Sequence, residues 1–317
     1  MRFALFTNVE NPEGRAAEAL AETVATVVHA ESLGFTQAWL TEHHFNRFSI
    51  SASIFPLLAH LAARTRTIRL GAAAVLLPFH DPLRVAEDAA TVDLLSGGRL
   101  MLGVARGGPF PEQFRLFGVS VDDSRSRFFE SLDLVERLLG EEQVDHEGRW
   151  FHVAGATTQP RPLQRPLPIW IASLDPQAVQ RADARGYGLM AGAAAAAASV
   201  REALRAGPHI GRVAIARWFL CEPDAEAAIA EATQFVRQFG ANMGVRSRPG
   251  AGSDEVLQHA LVGDPAAVAR QLAALAEALP GVELTVLLKP ATFSPARARA
   301  ALTLLGHRPP EIGRAHV

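Results

Sequence analysis

Cysteine is nearly missing from this chain. One residue, Cys221, in 317 excludes an intramolecular disulfide framework and a thiolate zinc cluster, and it agrees with a reducing, cytoplasmic setting. Excess charge of one sign is also missing. Lysine and arginine number 31 against 33 acidic residues, a formal net charge of −2, so no basic field exists to attract a polyanion and nucleic acid is not an expected partner. Long apolar runs are absent too. The blandest stretch, "MAGAAAAAASVREALRA", passes into charged residues well short of the roughly 20 positions a bilayer requires, so no membrane association is expected. The first residues, "MRFALFTNVENPEG", turn polar too soon for a signal peptide. There is no internal repeat, and "GVARGG" lacks the spacing of a dinucleotide-binding glycine turn.

What is present suits a large folded core, with 49% hydrophobic and 20% charged residues. Short β-prone runs alternate with longer helical patterns. "RFALFT", "QAWLT", "IRLGAAAVL", "RLMLGVA", "IWIAS", "YGLMAG", "VAIARWFLC" and "GVELTVLLK" read as strands. Helical segments lie between them, such as 14–34 closed by Gly34, and 81–98 opened by Asp81 and Pro82. Eight strand and helix units in alternation predict parallel pairing through right-handed crossovers, and hence a single (β/α)8 TIM barrel over residues 1–317. Two segments break the rhythm. Residues 145–168 carry four prolines and predict a surface excursion before the fifth strand, while 240–253, "GANMGVRSRPGAGS", predict a mobile insertion after the seventh.

Catalytic groups of such barrels lie at the C-terminal strand ends, and "TEHHF" stands just beyond the second strand. Neighbours in an extended segment point to opposite sides, so one of His43 and His44 faces the axis. That argues against a two-histidine metal site, the more so as no other strand end offers an evident His or Asp set; two satisfied loop histidines are the other reading. Gly71 to Ala74 on the third strand are small enough for a flat ring to lie against the backbone, or else for tight packing on a helix. Arg106 closes the fourth strand with a fixed charge suited to a phosphate or carboxylate, or to solvent.

Taken together, "WLTEHHF", "IRLGAAAVLLPFHDPLRVAEDAATVDLLSGGRLMLGVARG" and "GDPAAVARQL" resemble the bacterial luciferase-like flavin-dependent monooxygenases, from residue 1 to about 190 and again from about 261 onward. The resemblance is to the luciferase and alkanal monooxygenase branch. It implies the same barrel, His43 as the catalytic histidine, and a non-prolyl cis peptide between Ala73 and Ala74 beneath the flavin ring. Ala73, Ala74, Val104, Arg106, Ser173 and Leu174 are the implied cofactor-binding positions, with Arg106 on the flavin phosphate and no metal. The implied chemistry uses reduced FMN, supplied by a separate flavin reductase, and dioxygen to oxidise a small, largely apolar organic substrate. In this scheme His43 moves protons by titrating near neutrality. The substrate is expected near Phe6, Trp39 and Phe79, unless these are ordinary core. A homodimer through the second and third helices and a lid at 240–253 are further implications.

Two departures from the pattern stand out. Hydroxyls that usually follow the fifth strand are reduced here to Ser173, and Asp175 takes such a position, where its carboxylate repels a phosphate unless it turns away to cap the next helix. Ala105 stands where luciferase has a reactive cysteine, so light emission is not implied. A non-catalytic flavin-binding or flavin-free relative, an F420-dependent oxidoreductase and a metal-dependent hydrolase are the alternatives.

Overall fold

The computed structural model describes residues 1–108, 110–242 and 253–306. In chain order the elements are β1 (Arg2–Thr7), α1 (Ala16–Ser32), β2 (Gln37–Leu40), α2 (Ile54–Arg64), β3 (Arg69–Leu76), α3 (Pro82–Leu95), β4 (Leu100–Ala105), α4 (Pro111–Leu116) and α5 (Ser124–Gly140). There follow β5 (Val144–Glu147), β6 (His152–Ala156), β7 (Ile169–Ile171), α6 (Pro176–Arg185), β8 (Gly188–Ala191), α7 (Ala197–Ala206) and β9 (Arg212–Cys221). The chain continues through α8 (Ala225–Asn242), α9 (Ser253–Gln258), β10 (Leu261–Gly263), α10 (Pro265–Ala278), β11 (Glu283–Pro290) and α11 (Pro295–Gly306).

Strands β1, β2, β3, β4, β7, β8, β9 and β11 pair in parallel and close on themselves, because β9 bonds both β8 and β11. This is the (β/α)8 barrel that the alternation predicts. Strand β10 adds to β9 outside the ring and was not foreseen. Neither were α4 and the antiparallel hairpin β5–β6, which occupies the start of the excursion. Both are too short to give a periodic signal. The rest of the excursion is tied down by Arg161, which donates to the carbonyls of Leu138, Leu139 and Glu141, and by Gln164, which donates to the buried Asp93. Residues 243–252, which hold most of the expected insertion, lie outside the described residues.

Two cores result from the alternation of side chains along each strand. The outward set (Leu5, Leu40, Leu70, Leu102 and Ile171 among others) packs under the helices. The inward set is a separate cluster inside the ring, dominated by Trp39 and Trp170, whose rings meet edge to face at 5.5 Å. Glycine makes room for both. A Cβ added at Gly71 would fall inside the Trp39 ring, and one at Gly188 inside that of Trp170. Part of the small-residue run on β3 is therefore explained by packing, and Trp39, fully buried, belongs to the base of the barrel rather than to a pocket.

Three helices, α3, α6 and α10, open with the same dipeptide. Asp81, Asp175 and Asp264 each accept a hydrogen bond from the first-turn backbone, and a proline follows at the first helical position. Among the described residues, no helix is long and apolar enough to cross a membrane.

Candidate functional site

At the C-terminal ends of the strands the inward residues shrink, and a cavity of about 730 Å³ opens above the tryptophans. One side is floored by Ala73, Ala74, Ala105, Ala172, Gly192 and Ala193 from β3 round to β8. The Ala73–Ala74 peptide is cis, as expected, and the β3–β4 register shifts between Ala72 and Val75. The other side carries Phe6, Asn8, His43, Trp218 and Lys289 from β9, β11, β1 and β2.

Of the two histidines, His43 lines the cavity while His44 turns away from it. Its ring meets Phe110 edge to face at 5.8 Å, and its Nδ1 is buried without a partner. Burial, reinforced by the charge of Lys289, lowers the His43 pKa to about 3. The expected imidazole titrating near neutrality is therefore corrected: His43 is a neutral ring throughout the physiological range.

His44 instead donates from Nε2 to Glu42 Oε1 at 2.8 Å, and His80 donates to the same oxygen at 2.7 Å. Burial alone would raise the Glu42 pKa, but these two bonds overcome it and hold the carboxyl below its ordinary range. The sequence reading missed His80, which lies 38 residues away behind β3. With it, Glu42 and His44 form a set whose ligand atoms lie within 4.8 Å, the type of group that can hold a divalent cation. As described, the three satisfy one another by hydrogen bonds, and the network fixes the backbone from which His43 projects.

A second recess, of about 170 Å³, continues from the alanine floor through Ala105, Gly107 and Ala172. Arg106, Arg125, Ser173 and Asp175 line it. Arg125 was not singled out from sequence, because helix α5 carries it in from residues away from any strand end. It pairs with Asp175, which also caps α6 through Gln177 N and is held below the ordinary carboxylate range: burial opposes, but the Arg125 pair and the backbone bonds prevail. Asp175 is thus engaged within the recess, which keeps two guanidinium groups against that one carboxylate.

The remaining expected positions fall differently. Val104 points into the barrel–helix core and touches neither cavity, and Leu174 packs against that same core. Phe6 lines the main cavity, but Phe79 stacks on Phe117 at 4.9 Å instead. Sequence reasoning also missed Asn8 and Lys289. The first has both side-chain polar atoms buried and unpartnered. The second, 5% exposed, lies one residue before the end of β11 with Nζ 4.0 Å from the ring centres of both Trp218 and Phe239. Burial lowers its pKa to about 7 against the opposing pull of Glu10.

An alanine-floored cavity at the barrel mouth, with a histidine on one wall and a two-arginine recess at one end, is the arrangement of a cofactor-binding barrel enzyme. The chain belongs to the luciferase-like monooxygenases: the model of that family matches residues 1–281. It is 33% identical over 180 residues to the oxygenase component of a flavin-dependent trigonelline monooxygenase from Acinetobacter baylyi, covering 56% of this chain and 50% of that protein. The match thus spans about half the length of this relative. Among solved structures, monooxygenase RslO1 from Streptomyces bottropensis is 25% identical with a TM-score of 0.85, covering 97% of this chain and 98% of the other. The FMN complex of the oxygenating constituent of 3,6-diketocamphane monooxygenase from Pseudomonas putida shares the fold, with 19% identity, a TM-score of 0.77 and coverage of 96% of both chains.

Proposed function

We propose that this enzyme uses reduced FMN and dioxygen to oxidise a small, largely apolar substrate, and that a separate flavin reductase delivers the reduced cofactor. The observation that carries the reading is the continuity of the alanine floor with the Arg106–Arg125 recess, which suits a flat ring joined to a phosphate. In this reading Arg106, Arg125 and the Ser173 hydroxyl take the phosphate, and Ala73, Ala74, Ala105 and Ala172 lie against the ring. When bound, reduced FMN supplies the activation of dioxygen. The chain's own residues do the rest. Apolar walls exclude water from the ring. The neutral imidazole of His43 offers a hydrogen bond at its unpartnered Nδ1 without placing a charge beside the reacting atoms.

Sequestration of Asp175 by Arg125 and the α6 cap favours this reading over a flavin-free relative. Anaerobic titration with reduced FMN, then oxygen uptake with candidate substrates, tests it. Saturable binding with His43-dependent turnover is expected, and a chain that binds FMN in neither redox state overturns it. His43→Ala should lower the rate at saturating reduced flavin by about a hundredfold or more, the usual scale for removing one preorganised hydrogen-bonding group at a reaction centre.

The protein is further read as a homodimer through α2 and α3. Leu94 and Leu95, 42% and 63% exposed at the end of α3, leave apolar surface for a second copy, and sedimentation should give twice the chain mass.

A further inference from the structure

The two sides of the cavity differ in chemistry, and only one is continuous with the arginine recess. That side is small and apolar. The opposite corner, built by β11, β1 and β2, gathers polar groups that the protein leaves without partners. Asn8, 1% exposed, has neither Nδ2 nor Oδ1 hydrogen-bonded, and His43 Nδ1 is likewise unpaired.

Lys289 completes the corner. Alternation along β11 points Leu287 into the barrel interior and therefore Lys289 into the layer above it, opposite Trp218 on β9. Its Nζ rests on ring faces, 4.0 Å from Trp218 and Phe239 and 5.7 Å from Phe6. Glu10 is the acid whose charge acts on it, yet the two form no ion pair. A buried ammonium without a bonded counter-charge, beside an amide with idle donors and acceptor, is costly to hold. A ligand oxyanion relieves both at once, since charge-assisted bonds to ammonium are the stronger kind.

We propose that this corner binds the substrate through an acidic oxygen, and that the substrate is a planar, mostly apolar phenol or enol. Its oxygen is held by Lys289 Nζ and Asn8 Nδ2, and its ring lies along the wall of Phe6 and Trp218. The flavin reading enters only in assigning the alanine-floored side to the cofactor and so leaving this corner to the substrate.

Two probes of equal shape test the idea without turnover: para-nitrophenol and its neutral methyl ether, para-nitroanisole. Both are dialysed against the full chain without flavin at about pH 6, where the free phenol is mostly un-ionised and lysine is charged. The wild type should bind the phenol at least about tenfold more tightly than the ether, about 1.4 kcal/mol. The bound phenol should also show phenolate absorbance. Lys289→Met, an apolar replacement of similar length, should abolish both effects, and Lys289→Arg should keep them, with thermal melts showing that each variant folds.

Equal affinity for the two probes, or a preference that survives in Lys289→Met, overturns the proposal. So does a change in the ratio of reduced to oxidised FMN affinity in Lys289→Met with the phenol preference intact, because the lysine then serves the cofactor. The two readings fail separately. A wild type that ionises the phenol through Lys289 but binds no FMN keeps this corner and loses the flavin.

Discussion

Held neutral by burial and by the charge of Lys289, His43 can serve the proposed reaction through a hydrogen bond but not through titration near pH 7. Its low pKa has a sign that stability measurements can read. The folded ring resists protonation down to about 3, while the unfolded ring takes a proton near its ordinary 6.5, so the contribution of His43 is fully present above about 6.5 and is lost as the pH falls toward 3. Between about pH 7.5 and pH 5 the loss from this residue should reach about 2 kcal/mol. Urea melts of the wild type and of His43→Asn at the two pH values check it, and the variant should show a flatter dependence. That one histidine of the pair faces the cavity was legible from its strand-end position, a local signal, whereas the resemblance singled out His43 as that one. Protonation state was not legible, since it depends first on burial inside the closed barrel and then on a lysine 246 positions later in the chain. Alternation along "TVLLK" was the available clue, for it predicts that the terminal lysine shares a side with Leu287.

At the scale of elements, the turns and caps were the most readable features. Asp81 with Pro82 marked the start of α3 correctly, and the same dipeptide opens α6 and α10. Asp175 shows how one side chain serves two elements, capping α6 and engaging Arg125 of α5. Asp175→Ala should therefore cost about 1 kcal/mol of stability by loss of the cap. Because it also releases Arg125, the same change should tighten FMN binding, whereas Arg125→Ala should weaken it about tenfold or more. Flavin fluorescence titrations separate the two. The small residues of β3 were ambiguous in sequence: Ala73 with Ala74 lines the cavity, while Gly71 makes room for the Trp39 ring inside the barrel and not for a helix. Gly71→Ala should destabilise the fold by about 1 to 3 kcal/mol, the usual cost of overpacking a tight interior. Replacing Trp39 by Leu in the same chain should recover part of that loss, a coupling that a thermal double-mutant cycle measures.

The whole barrel followed from the alternation of strand and helix, because each unit carries its own periodic signal and right-handed crossovers leave one way to assemble them. The extra strand β10, the helix α4 and the hairpin β5–β6 did not, being too short to carry a periodic signal. His80 and Arg125 escaped for another reason: neither sits at a strand end, and each reaches the site across a loop or from a helix. If the cavity takes FMN as proposed, the folded chain as a unit gains from it. At a hundredfold excess over the dissociation constant, FMN should add about 2.7 kcal/mol to unfolding stability, visible as a rise in Tm that is lost in Arg106→Ala at the same concentration.

The interlocked indoles of Trp39 and Trp170 give the barrel a solid bottom. Among the described residues these rings fill the barrel below the cavity, so a guest enters from the strand-end side. Two guests seated on opposite sides of one cavity then come and go by the same route, a consequence of two glycines that let two large rings meet inside the barrel.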